Sequence, residues 1–115
     1  MPWMNKSSYV FTARSIQESA PARSGVYGLF SQHWIYIGEA DDIRARLLQH
    51  LRGDDECIAR YRPDGFVFET WPPSRRAERW DELVREFQPS CNRRPGGVPV
   101  SRPVFSEGES PRRDS

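Results

Sequence analysis

Residues 25–30 read Gly-Val-Tyr-Gly-Leu-Phe, and residues 34–38 read Trp-Ile-Tyr-Ile-Gly. Both stretches are rich in aromatic and β-branched side chains, which favour strands. The three residues between them, Ser-Gln-His, are a suitable length for a tight hairpin turn. We therefore predict a β-hairpin that carries one tyrosine on each strand, Tyr27 and Tyr36, with a glycine near each.

An amphipathic helix follows the hairpin. Asp41 or Asp42 is a suitable N-cap, and Gly53 ends the helix. The apolar residues of this segment recur every four positions and form one stripe: Ile43, Leu47 and Leu51. Arg46 and His50 lie one turn apart, so they share a face at the edge of that stripe.

A third strand and a second helix complete the pattern. Residues 66–71 read Phe-Val-Phe-Glu-Thr-Trp and are mostly aromatic or β-branched, with Asp64-Gly65 as a turn before them and two prolines after them. Ser74 is a suitable cap for the next helix, and Pro89 stops it. The apolar face of that helix consists of Ala77, Trp80, Leu83, Val84 and Phe87. Three weaker segments are an edge strand in 8–12, a helical turn in 14–18 and a short helix in 57–60.

Length and composition exclude several classes of protein. At 115 residues the chain has room for one domain. It contains no apolar run of the roughly 18–20 residues that a membrane span requires. Its N-terminus lacks the apolar segment of a secretory signal, so we expect a cytoplasmic protein. Cys57 and Cys91 form no C-x-x-C pair; a zinc site is not expected, and we predict two reduced, half-buried thiols.

Charge is nearly balanced, with 17 basic and 16 acidic residues. A nucleic-acid interface would therefore have to be a local patch. Residues 93–115 are dominated by Pro, Gly, Ser and Arg, and we predict a disordered tail. The domain prediction is thus an N-terminal extension over 1–24 that includes the edge strand, a folded domain over 25–92 and the tail.

The hairpin and the first helix together suggest a chemistry. Two phenols, a guanidinium and an imidazole around one cleft would suit phosphodiester hydrolysis, because Arg can hold a phosphate while Tyr or His moves a proton. The same residues also have a structural interpretation. Tyrosines in a hairpin often pack across the strands, and an Arg/His pair on a helix often faces solvent.

The order and spacing of these residues resemble the GIY-YIG nuclease family. Gly25-Val26-Tyr27 stands for the first half of the motif and Tyr36-Ile37-Gly38 for the second. Arg46 follows at the interval of the family's catalytic arginine, His50 lies one turn further on, and Asn92 closes the pattern after Pro89. The resemblance runs from Gly25 to Asn92.

The resemblance implies a single α+β domain in which helices flank a small, three-stranded, largely antiparallel sheet. It also implies a nuclease that uses Mg²⁺ or Mn²⁺. Tyr27 would activate water, Tyr36 would be the second tyrosine of the site, and Arg46 would stabilise the scissile phosphate. His50 would assist the proton transfer, and Asn92 would order the site from behind.

One position departs from the family pattern. The family's metal-binding glutamate falls on Trp80, which cannot bind a hard cation that requires oxygen ligands. Asp81 is the nearest substitute, and Glu69 on the third strand is a more distant one. The interpretation without a metal is that Trp80 packs within the apolar face of the second helix.

Three functions remain open. The first is a metal-dependent endonuclease that hydrolyses phosphodiester bonds, in DNA rather than RNA. The second is an inactive domain that binds nucleic acid through the same cleft and a basic patch formed by Arg44, Arg75, Arg76 and Arg79. The third is a protein-interaction module that uses the acidic segment 54–56 and the tail. The sequence predicts no membrane partner and leaves the oligomeric state open.

Overall fold

The computed structural model describes residues 3–4 and 7–92. Within them, four strands form one antiparallel sheet in the order β1-β4-β2-β3. The elements in chain order are β1 (Tyr9–Val10), α1 (Ala13–Ser19), β2 (Gly25–Phe30), β3 (Trp34–Ala40), α2 (Ile43–Leu51), α3 (Glu56–Tyr61), β4 (Gly65–Thr70), α4 (Pro73–Phe87) and the 3₁₀ turn η1 (Ser90–Asn92).

The predicted α+β class and the antiparallel sheet are confirmed, but the number of strands was wrong. The sheet has a fourth strand because the predicted edge strand pairs with β4, with Tyr9 opposite Phe66 and Val10 opposite Gly65. The helical turn expected over 14–18 is a full helix, α1, whose Ile16 is completely buried. Residues 7–24 therefore pack onto the same core as the rest of the described chain.

The two faces of the sheet are covered by different helices. Side chains alternate between faces along a strand, so Tyr27 and Leu29 point to one side while Val26 and Gly28 point to the other. The first side, which we call the three-helix face, packs against Ile16 of α1, Ile43 and Leu47 of α2 and Ile58 of α3. The second side, the α4 face, packs against Trp80, Leu83 and Val84 of α4.

Capping interactions set the limits of α2. Asp42 is its N-cap, and the Asp42 carboxylate accepts a hydrogen bond of 2.9 Å from the backbone N–H of Ala45. The helix ends at Leu51, and Gly53 follows with a φ of 85°. A side chain at this φ would be strained, so glycine is what allows the chain to turn sharply after α2.

The prediction of two reduced thiols is wrong in this structure. Cys57 and Cys91 form a disulfide that joins α3 to η1 across a sequence separation of 34 residues. Sequence spacing alone could not show this, because the two residues come together only when the chain between them has folded.

Two sequence predictions concern other properties. Among residues 3–4 and 7–92, none of the helices combines the length and apolar character needed to cross a membrane. The predicted disordered tail over 93–115 lies outside the described residues.

Candidate functional site

Tyr27 lies at the centre of the three-helix face. It pairs with Gly38 on β3 and with Phe68 on β4, and its side chain is fully buried. A Cβ atom at position 38 would lie 2.5 Å from the Tyr27 hydroxyl oxygen. Glycine at position 38 therefore provides the space into which the Tyr27 ring fits.

A chain of hydrogen bonds leads from Tyr27 to the end of α2. The Tyr27 hydroxyl oxygen is 2.7 Å from Nε2 of His50, and Nδ1 of His50 is 2.9 Å from Oδ1 of Asp54. An ionised carboxylate can only accept, so Nδ1 carries the hydrogen that is donated to Asp54. In the neutral imidazole, Nε2 is then left to accept the hydrogen of the Tyr27 hydroxyl.

Arg46 and Tyr36 complete this cluster. The Arg46 guanidinium donates to Oε1 of Gln49 at 2.7 Å and is close enough to Tyr27 that its charge acts on the Tyr27 hydroxyl. The Tyr36 ring centre is 6.1 Å from that of Tyr27 and 5.4 Å from that of His50. Arg46 and Tyr36 are half-buried, whereas Tyr27 and His50 are buried. Within the cluster, the arginine and the second tyrosine therefore form the side that faces solvent.

The electrostatics of the cluster keep Tyr27 neutral and Asp54 charged. Burial, reinforced by Tyr36, raises the pKa of the Tyr27 hydroxyl well above its usual value, and the nearby Arg46 only partly opposes this. The hydrogen bond from His50 lowers the pKa of Asp54. The chain therefore has a neutral phenol at one end and a carboxylate at the other, with the His50 ring between them, which is a suitable arrangement for passing a proton.

Asn92 fixes the strand that carries Gly38. Its side chain accepts from the backbone N–H of Ile37 at 2.8 Å and donates to the carbonyl oxygen of Ile37 at 3.0 Å. The indole Nε1 of Trp80 donates to the same carbonyl oxygen at 2.9 Å. Both side chains are buried, so together they hold the backbone beside the Tyr27 ring.

Comparison with solved structures shows which fold this is. Superposition on the N-terminal endonuclease domain of UvrC from Thermotoga maritima, in a tyrosine variant bound to its catalytic divalent cation, gives a TM-score of 0.60 at 24% identity. The match covers 69% of this chain and 96% of that domain. The magnesium-bound form of the same domain matches with a TM-score of 0.58 at 24% identity and covers 67% of this chain and 94% of that one. No protein-family model and no curated protein sequence matches.

The chain has the GIY-YIG fold. The resemblance drawn from the sequence is thereby confirmed for the fold. The five residues that carried it are Tyr27, Tyr36, Arg46, His50 and Asn92. The first four meet in the cluster on the three-helix face, and Asn92 supports the adjacent strand from the end of η1.

In the part of the chain that the structure describes, the acidic residues do not form a cluster for a divalent cation. Trp80, at the position where the resemblance places the family's glutamate, donates to the carbonyl oxygen of Ile37. Asp81 pairs instead with Arg85 at 3.0 Å on the outer side of α4. In residues 3–4 and 7–92, no three His, Cys, Asp or Glu side chains are close enough to hold a metal ion. Mg²⁺ requires carboxylate oxygens, so the described residues do not fit the cofactor that the resemblance implies.

Glu69, the more distant candidate, is already occupied. Its carboxylate accepts from Arg79 at 2.7 and 2.9 Å, from the Trp71 indole at 2.9 Å and from the backbone N–H of Met4 at 2.6 Å. The Glu69 and Arg79 side chains are each only 4% exposed. The carboxylate therefore belongs to a buried ion pair on the α4 face.

The predicted basic patch is smaller than expected. Arg44 donates to the carbonyl oxygen of Ala20 and ties α2 to the end of α1. Arg76 bonds to Glu39 and to Asp41, and Arg79 holds Glu69, so both face the sheet rather than solvent. Arg75 alone of the three α4 arginines in the predicted patch has an exposed side chain. Arg76 and Arg79 are turned inward because positions 76 and 79 are one turn before Trp80 and Leu83 on the inner face of the helix.

Asp54 is the member of the cluster that the sequence analysis did not identify. It was assigned to an acidic segment, 54–56, as part of a contact surface. The available signal was its spacing: a carboxylate four residues after a histidine, with a glycine between them at the end of a helix.

Proposed function

We propose that this GIY-YIG domain acts on nucleic acid by hydrolysing a phosphodiester bond of DNA at the Tyr27–His50–Asp54 cluster. The observation that carries the proposal is the continuous hydrogen-bond chain from the Tyr27 hydroxyl through His50 to Asp54, with Arg46 beside its first member. A packing role would not require a buried imidazole to be bonded on both nitrogens to groups that can exchange protons with it.

Each residue of the cluster would have a different role in the reaction. Arg46, on the side facing solvent, would bind the phosphate and neutralise the charge that develops on its oxygens. A water molecule that attacks phosphorus would give its proton to the Tyr27 oxygen as the Tyr27 hydroxyl hydrogen passes to Nε2 of His50. The ester P–O bond on the opposite side of phosphorus would break with its electron pair, and the leaving oxygen would take a proton from solvent water. The imidazolium that results would be stabilised by Asp54. Because Tyr27 is buried, a substrate would have to displace the side chains of Tyr36 or Arg46 to reach it.

The positions replaced in the Thermotoga maritima domain support the assignment of His50. Four point variants of that domain match this chain. Three of them replace a tyrosine, and one replaces an asparagine. Two of the three tyrosines are 14 positions apart in that domain. Tyr36 and His50 are separated by the same interval in this chain. His50 would then occupy the place of a tyrosine in that domain, which is consistent with a role as a proton-carrying group.

A second candidate function is binding of nucleic acid without cleavage. Trp80 supports it, because an indole that is hydrogen-bonded to the backbone stands where the resemblance places a metal-binding carboxylate. In that case Arg46 and Tyr36 would bind the phosphate backbone of the nucleic acid. The proton-carrying groups of the cluster would then take part in no reaction.

Cleavage and binding assays on the same samples separate the candidates. Labelled single- and double-stranded DNA, with an RNA of equal sequence, is incubated with Mg²⁺, with Mn²⁺ or with EDTA. We expect Arg46→Ala to lower the cleavage rate by about 10²-fold or more, while Arg60→Ala, which changes an exposed arginine on α3, leaves it unchanged. Binding that depends on Arg46 without cleavage would support the second candidate. Neither binding nor cleavage would contradict both and favour the protein-interaction module.

A further inference from the structure

The loop after α2 brings Asp54 back to His50. Gly53 adopts a φ of 85°, and its backbone N–H donates to the carbonyl oxygen of His50 at 3.0 Å. This left-handed turn reverses the chain directly after the helix, so that the next side chain points back along α2. The Asp54 carboxylate thereby reaches Nδ1 of His50 from outside the helix.

We infer that Asp54 is the positioning residue of the site: it holds His50 in the tautomer and ring orientation that allow Nε2 to take the proton of Tyr27. This inference rests on the proposed function. A carboxylate that accepts from Nδ1 fixes the hydrogen on that nitrogen, leaves Nε2 free to accept and stabilises the imidazolium when the proton arrives. No atom of Asp54 needs to touch the substrate.

The surroundings of His50 distinguish this arrangement from a surface ion pair. The His50 side chain is 2% exposed, whereas that of Asp54 is 38% exposed. The other groups that contact His50 are the Tyr27 hydroxyl and the Tyr36 ring, and the Arg46 guanidinium is close enough to lower the pKa of Asp54. Of these four neighbours, Asp54 is the anion. A pair whose imidazole is buried against a phenol holds a fixed geometry, which an exposed pair of flexible side chains does not.

Two variants of Asp54 and one matched control test the inference. Asp54→Ala removes the acceptor, and Asp54→Glu returns a carboxylate on a longer side chain. Glu56→Gln, which removes an exposed acid two residues away, serves as the control. We expect Asp54→Ala to lower kcat by about 10²- to 10⁴-fold with KM within about twofold, because Arg46 still binds the phosphate. Asp54→Glu should recover part of the loss, and the control should match the unmodified protein.

Nitrogen NMR of the imidazole provides a reading that does not depend on cleavage. The chain has two histidines, so His33→Gln identifies the His50 signals. We expect the hydrogen of neutral His50 on Nδ1 in the unmodified protein and in Glu56→Gln, and a shift of population toward the Nε2 tautomer in Asp54→Ala. An unchanged tautomer in Asp54→Ala, or an unchanged kcat in a protein that cleaves, would overturn the inference.

The two readings keep the inference separate from the proposed function. If the unmodified protein cleaves neither DNA nor RNA, the proposed hydrolysis is refuted. The NMR result alone then decides whether Asp54 positions the His50 ring. A tautomer that depends on Asp54 then still supports the positioning role. A tautomer that is the same with and without the carboxylate overturns it.

Discussion

The two faces of the sheet use their polar groups differently. On the three-helix face, Tyr27, His50 and Asp54 bond to one another in a chain of groups that can exchange protons, and Arg46 lies at its half-exposed end. On the α4 face, Trp80 is bonded to a backbone carbonyl and Arg79 to a buried carboxylate. The first arrangement can change its protonation during a reaction, whereas the second holds α4 and the sheet together.

In residues 3–4 and 7–92, the GIY-YIG fold is present without a group of three side chains that could hold a metal ion. The fold requires the strand with Gly38 to be held in place, and Asn92 and Trp80 both do so through Ile37. A carboxylate at position 80 would present oxygen to that carbonyl, whereas the indole presents a hydrogen. Where the resemblance places a cation ligand, this chain therefore has a side chain that makes a backbone hydrogen bond.

The largest expected loss of stability comes from the buried ion pair on the α4 face. Arg79→Met leaves the Glu69 carboxylate buried without its main partner, so we expect the free energy of unfolding to fall by about 3–5 kcal/mol. Urea denaturation measures the loss, and Arg75→Met on the exposed side of α4 is the control. Cleavage or binding per folded molecule should stay unchanged; a loss there would mean that the α4 face takes part in the chemistry.

Reduction of the disulfide tests how far the two faces depend on each other. The bond joins α3, on the three-helix face, to η1, which follows α4. Reduction releases the loop of the unfolded chain that the bond closes across 34 residues, and the unfolded state gains entropy. The free energy of unfolding should therefore fall by about 3–4 kcal/mol. Thermal unfolding with and without dithiothreitol measures the cost, and the Cys57→Ser/Cys91→Ser double variant should not respond to the reductant. Equal midpoints for the oxidised and reduced forms of the unmodified protein would contradict the expectation.

Acid should weaken the α4 face through Glu69. Burial acts to raise the pKa of Glu69, but the hydrogen bonds from Arg79, Met4 and Trp71 outweigh it, and the pKa in the folded protein is lowered. The unfolded chain then binds this proton more readily. The stabilisation is fully present above the ordinary glutamate pKa of about 4.3 and is lost as the pH falls through the lower, folded value. Stability measured from pH 7 to pH 3 should show this decline, and Glu69→Gln should flatten it.

The smallest effect is expected from Trp80→Phe, which keeps most of the buried ring and removes the hydrogen bond to Ile37. We expect a loss of about 1 kcal/mol in the free energy of unfolding, measured by urea denaturation. Trp80→Glu is a larger change at the same position. Its free energy of unfolding should fall by about 3–5 kcal/mol because a buried aromatic ring is removed, and Mg²⁺ or Mn²⁺ should raise its cleavage rate. A Trp80→Glu protein as stable as the original, with no response to cations, would contradict both expectations.

The sequence predicted the parts of the molecule that depend on local patterns. The hairpin followed from its aromatic and β-branched residues, and α2 followed from the four-residue spacing of its apolar side chains. Tyr27, Tyr36, Arg46 and His50 could be expected in one cluster because the hairpin and α2 are adjacent in the chain. The structure places them there.

The features that the sequence missed depend on contacts between distant segments or on a single backbone angle. Asp54 joins the site only because Gly53 turns the chain back, and an acidic loop gives no sign of that direction. The disulfide needs two segments 34 residues apart to meet. Arg76 and Arg79 were expected in solvent from their charge alone, although their positions one turn before Trp80 and Leu83 already indicated the inner face of α4.

The central claim is that the three-helix face carries the chemistry and the α4 face holds the fold together. Its most direct test is the rate at which His50→Ala and Trp80→Phe cleave labelled DNA, each rate normalised to the folded fraction of the variant. The two residues are buried on opposite faces of the sheet. His50→Ala removes a ring that is bonded on both nitrogens, and Trp80→Phe removes one hydrogen bond to the backbone. We predict that His50→Ala loses about 10²-fold or more of the rate, while Trp80→Phe stays within about twofold of the unmodified protein. An unchanged rate in His50→Ala, or a comparable loss in Trp80→Phe, would contradict the assignment of the chemistry to the three-helix face.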